Sequence, residues 1–499
     1  MTQPNPAAVP RADQPDEWHH LSPWMMAVRP IQQLPQLVPV IIAIAFAGRA
    51  APLIAFFLSA VALGLISVVP WLTTRYQVTG EHVRLRTGLV NKKVATARRD
   101  RIRSVDLTAS APHRILGLKK VVIGTGTDDG NVELDCVGAP YGEALQAYLM
   151  PTGPSAYPTP AGVATPAEPA TVLARFRPDW LRYAPFSLGG LAAAAAGVGF
   201  AAQFAGEAGL FDRARSTGSA AVDWISRIPV PLVVLGVLAV VCAAGALLSL
   251  TSYLLGYWNF TLARYPDATL RVSRGLITTT STSLDENRVR GVHLHEPVLM
   301  RLVRGARLFA IATGSSKHPL LLPPAPRVDA VGVAGAVADA SAELALPLDE
   351  HGPAARRRRW FRAAVTALVI VAIVATAWFL GRLPAPVAVL IGIVGAVPAL
   401  LAAPVRYRHL GTRVTDRLVI VSSPTLARHR FVVERDGIVG WSRSSSIFQR
   451  RQGIATLILA TAAGTEAYAM VDLRDGDAAG VMVQATPELV RPFLVAADD

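Results

Sequence analysis

Arg356-Arg357-Arg358-Arg359-Trp360 sets four guanidinium groups and an indole at the start of an apolar run. That is headgroup chemistry: each cation near an anionic leaflet contributes about 1 kcal/mol, and an amphipathic ring suits the same depth. The same run also reads as a stop signal that merely fixes orientation, because the physics is shared. Two further basic sets follow the same logic. Arg98, Arg99, Arg101, Arg103, Lys119 and Lys120 form one, and Arg288, Arg290, Arg301, Arg304 and Arg307 the other. On an alternating strand Arg101 and Arg103 share a face while Ile102 points to the core, although Val105 then falls on the arginine face and the alternation slips. The candidate headgroup contacts are therefore Arg356, Arg357, Arg358, Arg359, Arg101, Arg103, Arg288 and Arg290; the plainer reading of the last four is a solvated strand face.

Other chemistry finds little support. His293-Leu294-His295-Glu296 puts two imidazoles on one strand face, within reach of a metal, but no third ligand stands nearby. Gly124-Thr125-Gly126 opens like a phosphate loop and lacks the helix and the Lys-Ser/Thr that would complete it. Trp441-Ser442-Arg443-Ser444-Ser445-Ser446 offers hydroxyls without a partnered His and Asp. The two cysteines, Cys136 and Cys242, suggest neither a disulfide framework nor a thiolate metal cluster. The candidate spans within the apolar runs hold no Asp, Glu, Lys or His, which argues against a pump or coupled transporter. No cofactor, metal or catalytic residue is expected, and the chain is read as non-enzymatic.

The elements that must position these residues come in three rounds. Apolar stretches near 34–72, 184–256 and 361–403 are each followed by a strand-rich, basic segment, at 73–150, 257–345 and 404–499. A period this long is a repeat of whole domains. Hydrophobic content of 52%, charged content of 17% and a mean hydropathy of +0.38 fit a chain partly embedded in lipid. The net charge of +14 does not point to nucleic acid, since the cations lie beside apolar runs. A helix needs about 20 apolar residues to cross the hydrocarbon. Leu53–Trp71, Val230–Leu255, Phe361–Leu380 and Val387–Ala403 meet this, and Leu34–Gly48 and Tyr183–Ala205 are weaker members of the set. Gly/Pro turns at 48–52 and 381–384 pair them into hairpins. Arg75, Arg175, Arg177, Arg182, Arg356–Arg359, Arg406 and Arg408 flank the domain side, so six spans are expected, with both termini and all three domains cytoplasmic. The N-terminus lacks the basic start and apolar core of a cleaved signal peptide.

Within the first soluble segment, His82-Val83-Arg84-Leu85-Arg86 and Val132-Glu133-Leu134-Asp135-Cys136 alternate as strands, and Pro140 to Leu149 reads as a closing helix. Asp100-Arg101-Ile102-Arg103-Ser104-Val105 matches Asn287-Arg288-Val289-Arg290-Gly291-Val292, and Asp436-Gly437-Ile438-Val439-Gly440-Trp441 more loosely. Gly117, Gly305 and Gly453 then fall in step, one residue late in the second copy, each before an apolar strand. Closing helices are expected again near Val328–Leu344 and Pro487–Ala496.

With "LRTGLV" (Leu85–Val90) and "RVSRGLI" (Arg271–Ile277), these motifs resemble the bacterial pleckstrin-homology-like domain, a family first catalogued as being of unknown function. Three units with interposed hairpins resemble the YdbT type of bacterial membrane protein. The third copy departs most: Val421-Ser422-Ser423-Pro424-Thr425 replaces the Gly turn, and Gly437 stands where the others have Arg. The resemblance implies three small β-barrels or orthogonal sandwiches, each capped by its last helix, and no catalytic residues. The expected order is a disordered 1–30, hairpin 31–72, PH-like domain 73–150, linker 151–178, hairpin 179–256, second domain 257–345, basic linker 346–360, hairpin 361–403 and divergent third domain 404–499. The expected role is a binding or scaffolding module at the inner leaflet of the cell membrane, engaging acidic lipid, a protein partner or itself. The rival from another class is export of lipid or a small hydrophobic toxin through the helix bundle.

Overall fold

The computed structural model describes residues 18–32, 68–88, 92–102, 104–125, 131–149, 170–186, 229–313 and 318–493, with isolated helical positions at 196, 199 and 203. Most of the apolar runs at 34–72 and 184–205, the linker at 151–169 and Arg103 lie outside the described residues. The chain divides into two compact units, one built chiefly from the first repeat and the opening strands of the second, the other from the rest.

In the first unit, β1 (His19–His20), β2 (Arg75–Val78), β3 (His82–Thr87) and β4 (Lys93–Arg98) form an antiparallel sheet in that order. A one-turn 3-10 helix, Arg99–Arg101, leads to β5 (Ser104–Ala109), α1 (Ala111–Ile115), β6 (Leu118–Gly124), β7 (Val132–Gly138) and the closing α2 (Ala139–Leu149). Strand alternation sends Val83, Leu85, Val105, Leu107, Val121, Ile123 and Leu134 inward, where they meet Leu145 and Leu149 of α2. Each such side chain contributes about 1.5–3 kcal/mol when fully buried, before the entropy of ordering it. The second sheet is larger than one repeat. β8 (Thr171–Arg175), β9 (Thr261–Arg264), β10 (Thr269–Arg274) and β11 (Thr279–Asp285) join it in the order β7-β6-β5-β11-β10-β9-β8.

The second unit holds β12 (Val289–Glu296), β13 (Gly305–Ala312), β14 (Leu320–Pro326), β15 (Gly411–Val414), β16 (Leu418–Ser422) and β17 (Arg428–Glu434) in one sheet, ordered β14-β13-β12-β17-β16-β15. β18 (Ile438–Ser444), β19 (Ile454–Thr461) and β20 (Ala467–Arg474) form another. Its helices include α3 (Val230–Tyr257), α4 (Val298–Leu302), α5 (Arg327–Ala338), α6 (Ser341–Ala345), α7 (Gly352–Phe379), α8 (Ala385–Arg408) and α9 (Asp475–Ala485).

Four expectations change. Among the described residues three helices, in α3, α7 and α8, are long and apolar enough to cross a membrane, rather than about six. Among the described residues no sheet closes into a barrel. The reason is visible in the pairing: β5 gives its second edge to β11, and β12 gives its second edge to β17, so a strand from the next repeat lies where closure would have to occur. The helix that closes the third repeat is α9, not 487–496, where only Pro487–Val490 makes a single turn. Finally, the left-handed residue before the fifth strand of each repeat is Gly117, Arg304 and Gly453, with φ of 65°, 57° and 62°. Gly305, expected to precede that strand in step with Gly117 and Gly453, is instead the first residue of β13.

Candidate functional site

β12 ends at Glu296, and Pro297 caps α4, which carries Arg301. The chain then bends through left-handed Arg304 into Gly305. From the third repeat, β17 pairs antiparallel with β12, placing Arg428 opposite Glu296 and Arg430 opposite Leu294. Residues two apart on a strand share a face, so both guanidinium stems point the same way. Arg327, at the start of α5, and Ala345, at the end of α6, complete the lining. The result is a cavity of about 360 Å³ walled by Glu296, Arg301, Arg304, Gly305, Arg327, Ala345, Arg428 and Arg430.

Five arginines face one carboxylate there. Glu296 is buried and accepts a hydrogen bond from Arg327 Nε at 2.8 Å, while Arg428 Nη1 stands 3.5 Å from its other oxygen. Arg430 is only 5% exposed. Its Nη1 donates to the Leu344 carbonyl, and its Nε has no partner. Burial, with Arg428 and Arg327 close by, pulls the Arg430 pKa down to about 10. Burial likewise lowers Arg428, against the opposing pull of Glu296. Arg301 and Arg304 are exposed and make no side-chain hydrogen bond among the described residues. A cluster so rich in cations is electrostatically unfinished. Planar guanidinium forks match phosphate oxygens two at a time, and an anion in the cavity would offset the mutual repulsion of these guanidinium groups. The lining holds no nucleophile and no paired carboxylates.

Arg304 gives the cavity a backbone signature. A left-handed conformation costs a non-glycine residue about 1–2 kcal/mol. The first and third repeats avoid this with Gly117 and Gly453, whereas the second places an arginine there and turns it toward the cavity. Strain retained at one copy of a repeat points to a role for that side chain.

The sequence-expected contacts are distributed differently. Arg356 and Arg357 are exposed, beside exposed Trp360, at the same end of the α7–α8 hairpin as Arg408. Arg358 and Arg359 turn away and clasp buried Asp472, the latter at 2.7 Å, with Gln449 Nε2 donating to the same carboxylate at 2.8 Å. Arg288 donates to the Ile102 carbonyl at 2.9 Å and lies 3.3 Å from Asp285. Arg290 pairs with Glu434 at 3.3 Å. Arg101 is exposed. Of the second basic set, Arg301 and Arg304 enter the cavity and Arg307 does not.

His293 and His295 do acquire neighbours, but they are other imidazoles. His429 stacks on His295 with centroids 4.3 Å apart, His318 lies 5.3 Å from His293, and His293 Nε2 sits 3.1 Å from His429 Nδ1. Burial first, and the neighbouring histidines second, hold His293 down at about 2; burial, His429 and Arg307 hold His295 at about 4. This is a neutral stack. A second cluster escaped the sequence: His113, Asp135 and Cys136 meet in the first repeat. Ser110 Oγ and Asp135 Oδ1 engage the two His113 nitrogens at 2.6 and 3.2 Å, and Arg29 lies 3.6 Å from the carboxylate, so the group reads as a self-satisfied polar network.

Arg327, Arg428 and Arg430 were not singled out in the sequence. The spacing of Arg428-His429-Arg430 on a strand was the available signal, and only the pairing with β12 gives it meaning. A search of curated proteins and a search of solved structures both return no match. A model of the bacterial PH domain matches residues 32–152, 220–340 and 362–483, each match spanning an apolar run and the strands after it. Three matches over most of the chain, on three copies of one strand order, make this protein a member of the bacterial PH domain family.

Proposed function

We propose that this chain is a non-enzymatic binding module of the inner membrane leaflet, and that the arginine cavity beside the β12–β17 pairing is where it holds its ligand, a phosphate-bearing anion. The observation that carries this is Arg304: a strained backbone in one repeat of three, with its guanidinium on the wall of a cavity already crowded with cations. Three helices suited to a bilayer supply the anchor. The exposed Arg356, Arg357 and Arg408 at one end of the α7–α8 hairpin supply a collar for anionic headgroups, each worth about 1 kcal/mol near a charged leaflet. Cytoplasmic placement follows from the positive-inside rule. The same phosphate chemistry is offered by an anionic lipid and by a soluble phosphate compound.

The full chain reconstituted in nanodiscs separates the two. Phosphatidylglycerol discs are compared with phosphatidylcholine discs, and inorganic pyrophosphate is added to each, with thermal unfolding as the readout. Stabilisation by phosphatidylglycerol that pyrophosphate cannot add to supports a lipid headgroup. Stabilisation by pyrophosphate in both kinds of disc supports a soluble ligand. If neither raises the unfolding temperature, the proposal fails.

A further inference from the structure

Every repeat has a third strand (β4, β11, β17) and a fourth strand (β5, β12, β18), separated by a one-turn 3-10 helix. Twice within the chain, the fourth strand of one repeat pairs antiparallel with the third strand of the next. The register is the same both times. Leu284 lies opposite Ser104 and Val433 opposite Gly291, and each pair joins the residue two before a 3-10 turn to the residue three after one. Two such edges are left over: among the described residues β4 pairs with β3 alone and β18 with β19 alone. Exposure follows pairing. Ser283 of β11 and Val432 of β17 are buried, while the equivalent Thr96 of β4 is exposed. Val94 is 56% exposed on β4, and Val439 is 67% exposed on β18. An open edge with apolar side chains is a template for another strand.

We propose that β18 of one chain takes β4 of a second copy, antiparallel, with Gly440 opposite Ala97 and Trp441 opposite Thr96. Continuity with the two internal pairings fixes both the occupant and the register. In that register Val439 faces Arg98, Arg443 faces Val94 and Ser444 faces Lys93, so no cation directly opposes another, which would be destabilising. Arg101 also gains a role. Its equivalent, Arg288, donates to the Ile102 carbonyl across the first internal pairing at 2.9 Å. Arg101 would donate likewise to the Ile438 carbonyl of the other copy. The contact is head-to-tail, so it gives a ring if its rotation closes and an open row if it does not.

The test uses the full chain with Cys242, an exposed thiol, replaced by Ser. Purified variants, each with one introduced cysteine beside the buried Cys136, are mixed in detergent under mild oxidation. Val439→Cys with Arg98→Cys, and Arg443→Cys with Val94→Cys, place thiols opposite each other; the exchanged combinations, Val439→Cys with Val94→Cys and Arg443→Cys with Arg98→Cys, do not. Because a disulfide tolerates only a narrow range of Cα separations, the in-register mixtures should form cross-linked dimer about tenfold faster than the exchanged ones. Equal rates in all four mixtures, or no cross-linking in any, overturns the proposal, as does a wild-type chain that stays monomeric at every concentration. Capture of the β18 cysteine in native membranes by a different protein, and never by a second copy, overturns the choice of occupant.

Discussion

Where β5 meets β11, Thr279, Thr280, Ser281, Thr282 and Ser283 lie opposite Ala109, Thr108, Leu107, Asp106 and Val105, a ladder of small hydroxyls against a mixed strand. Where β12 meets β17, Arg428, His429, Arg430 and Phe431 lie opposite Glu296, His295, Leu294 and His293. The backbone bonds and the register are the same; the side chains differ in kind. Main-chain hydrogen bonds are indifferent to side-chain chemistry, so a pairing that is held by the backbone leaves its faces free to specialise. The first pairing stays a structural seam. The second acquired a stack of imidazoles and an arginine cavity beside it.

The contrast should be sharpest at Glu296. Glu296→Gln removes the one carboxylate among five guanidinium groups and leaves Arg327 and Arg428 without their ion-pair partner, a loss of about 3 kcal/mol that pyrophosphate should partly restore. The equivalent change in the first pairing, Ala109→Ser, should shift the thermal midpoint far less, because no charge depends on it.

Acid should also separate the two. His295 has a folded pKa of about 4 against an ordinary 6.5, so the folded state prefers the neutral ring. Its contribution is complete above pH 6.5 and drains away as pH falls toward 4, because the unfolded chain takes up the proton first. With allowance for solvent screening of a partly exposed ring, this amounts to no more than about 2 kcal/mol. Hydrogen exchange should therefore show β12 and β17 loosening over that range while β5 and β11 keep their protection.

Ser283→Ala probes the seam itself. It removes the hydroxyl that accepts from Gln146 Nε2 at 3.0 Å, while Gln146 keeps the Val105 carbonyl at 2.8 Å. A cost of about 1 kcal/mol in thermal unfolding, with no change in anion binding, is expected. Arg304→Gly runs the other way. It relieves the left-handed strain and should raise stability by up to about 1 kcal/mol while weakening anion binding.

Much of this organisation is legible in the amino-acid sequence. Alternation in His82–Arg86 and Val132–Cys136 announces the strands, and the Asp-Arg-Ile-Arg and Asn-Arg-Val-Arg runs mark equivalent positions, although they read as strands and the structure instead ends a one-turn 3-10 helix at Arg101 and at Arg288. The closing helix of the third repeat was hidden by Gly476 and Gly480, poor helix formers that tertiary packing of Ala478 and Ala485 overrides. Arg304 was masked by its neighbour: a glycine at 305 invited an alignment one residue late, and with it the arginine in the glycine position went unseen. The cavity could not be read at all, because Glu296 and Arg430 come together only through a strand pairing between repeats. The Arg356–Arg359 run was visible, but helix geometry divides it, sending Arg358 and Arg359 to Asp472 and leaving Arg356 and Arg357 outside.

The most direct test is a calorimetric titration of inorganic pyrophosphate into the full chain in phosphatidylcholine nanodiscs, for wild type and for the double variant Arg301→Gln/Arg304→Gly. These two residues have no side-chain partners to lose among the described residues, so the fold should survive the change. A saturable, salt-sensitive signal that weakens at least about tenfold in the double variant is the predicted result, since each charge-assisted hydrogen bond is worth roughly 1.5–3 kcal/mol. Equal affinity in both proteins, or no saturable binding to the wild type, would contradict an anion site at the second pairing.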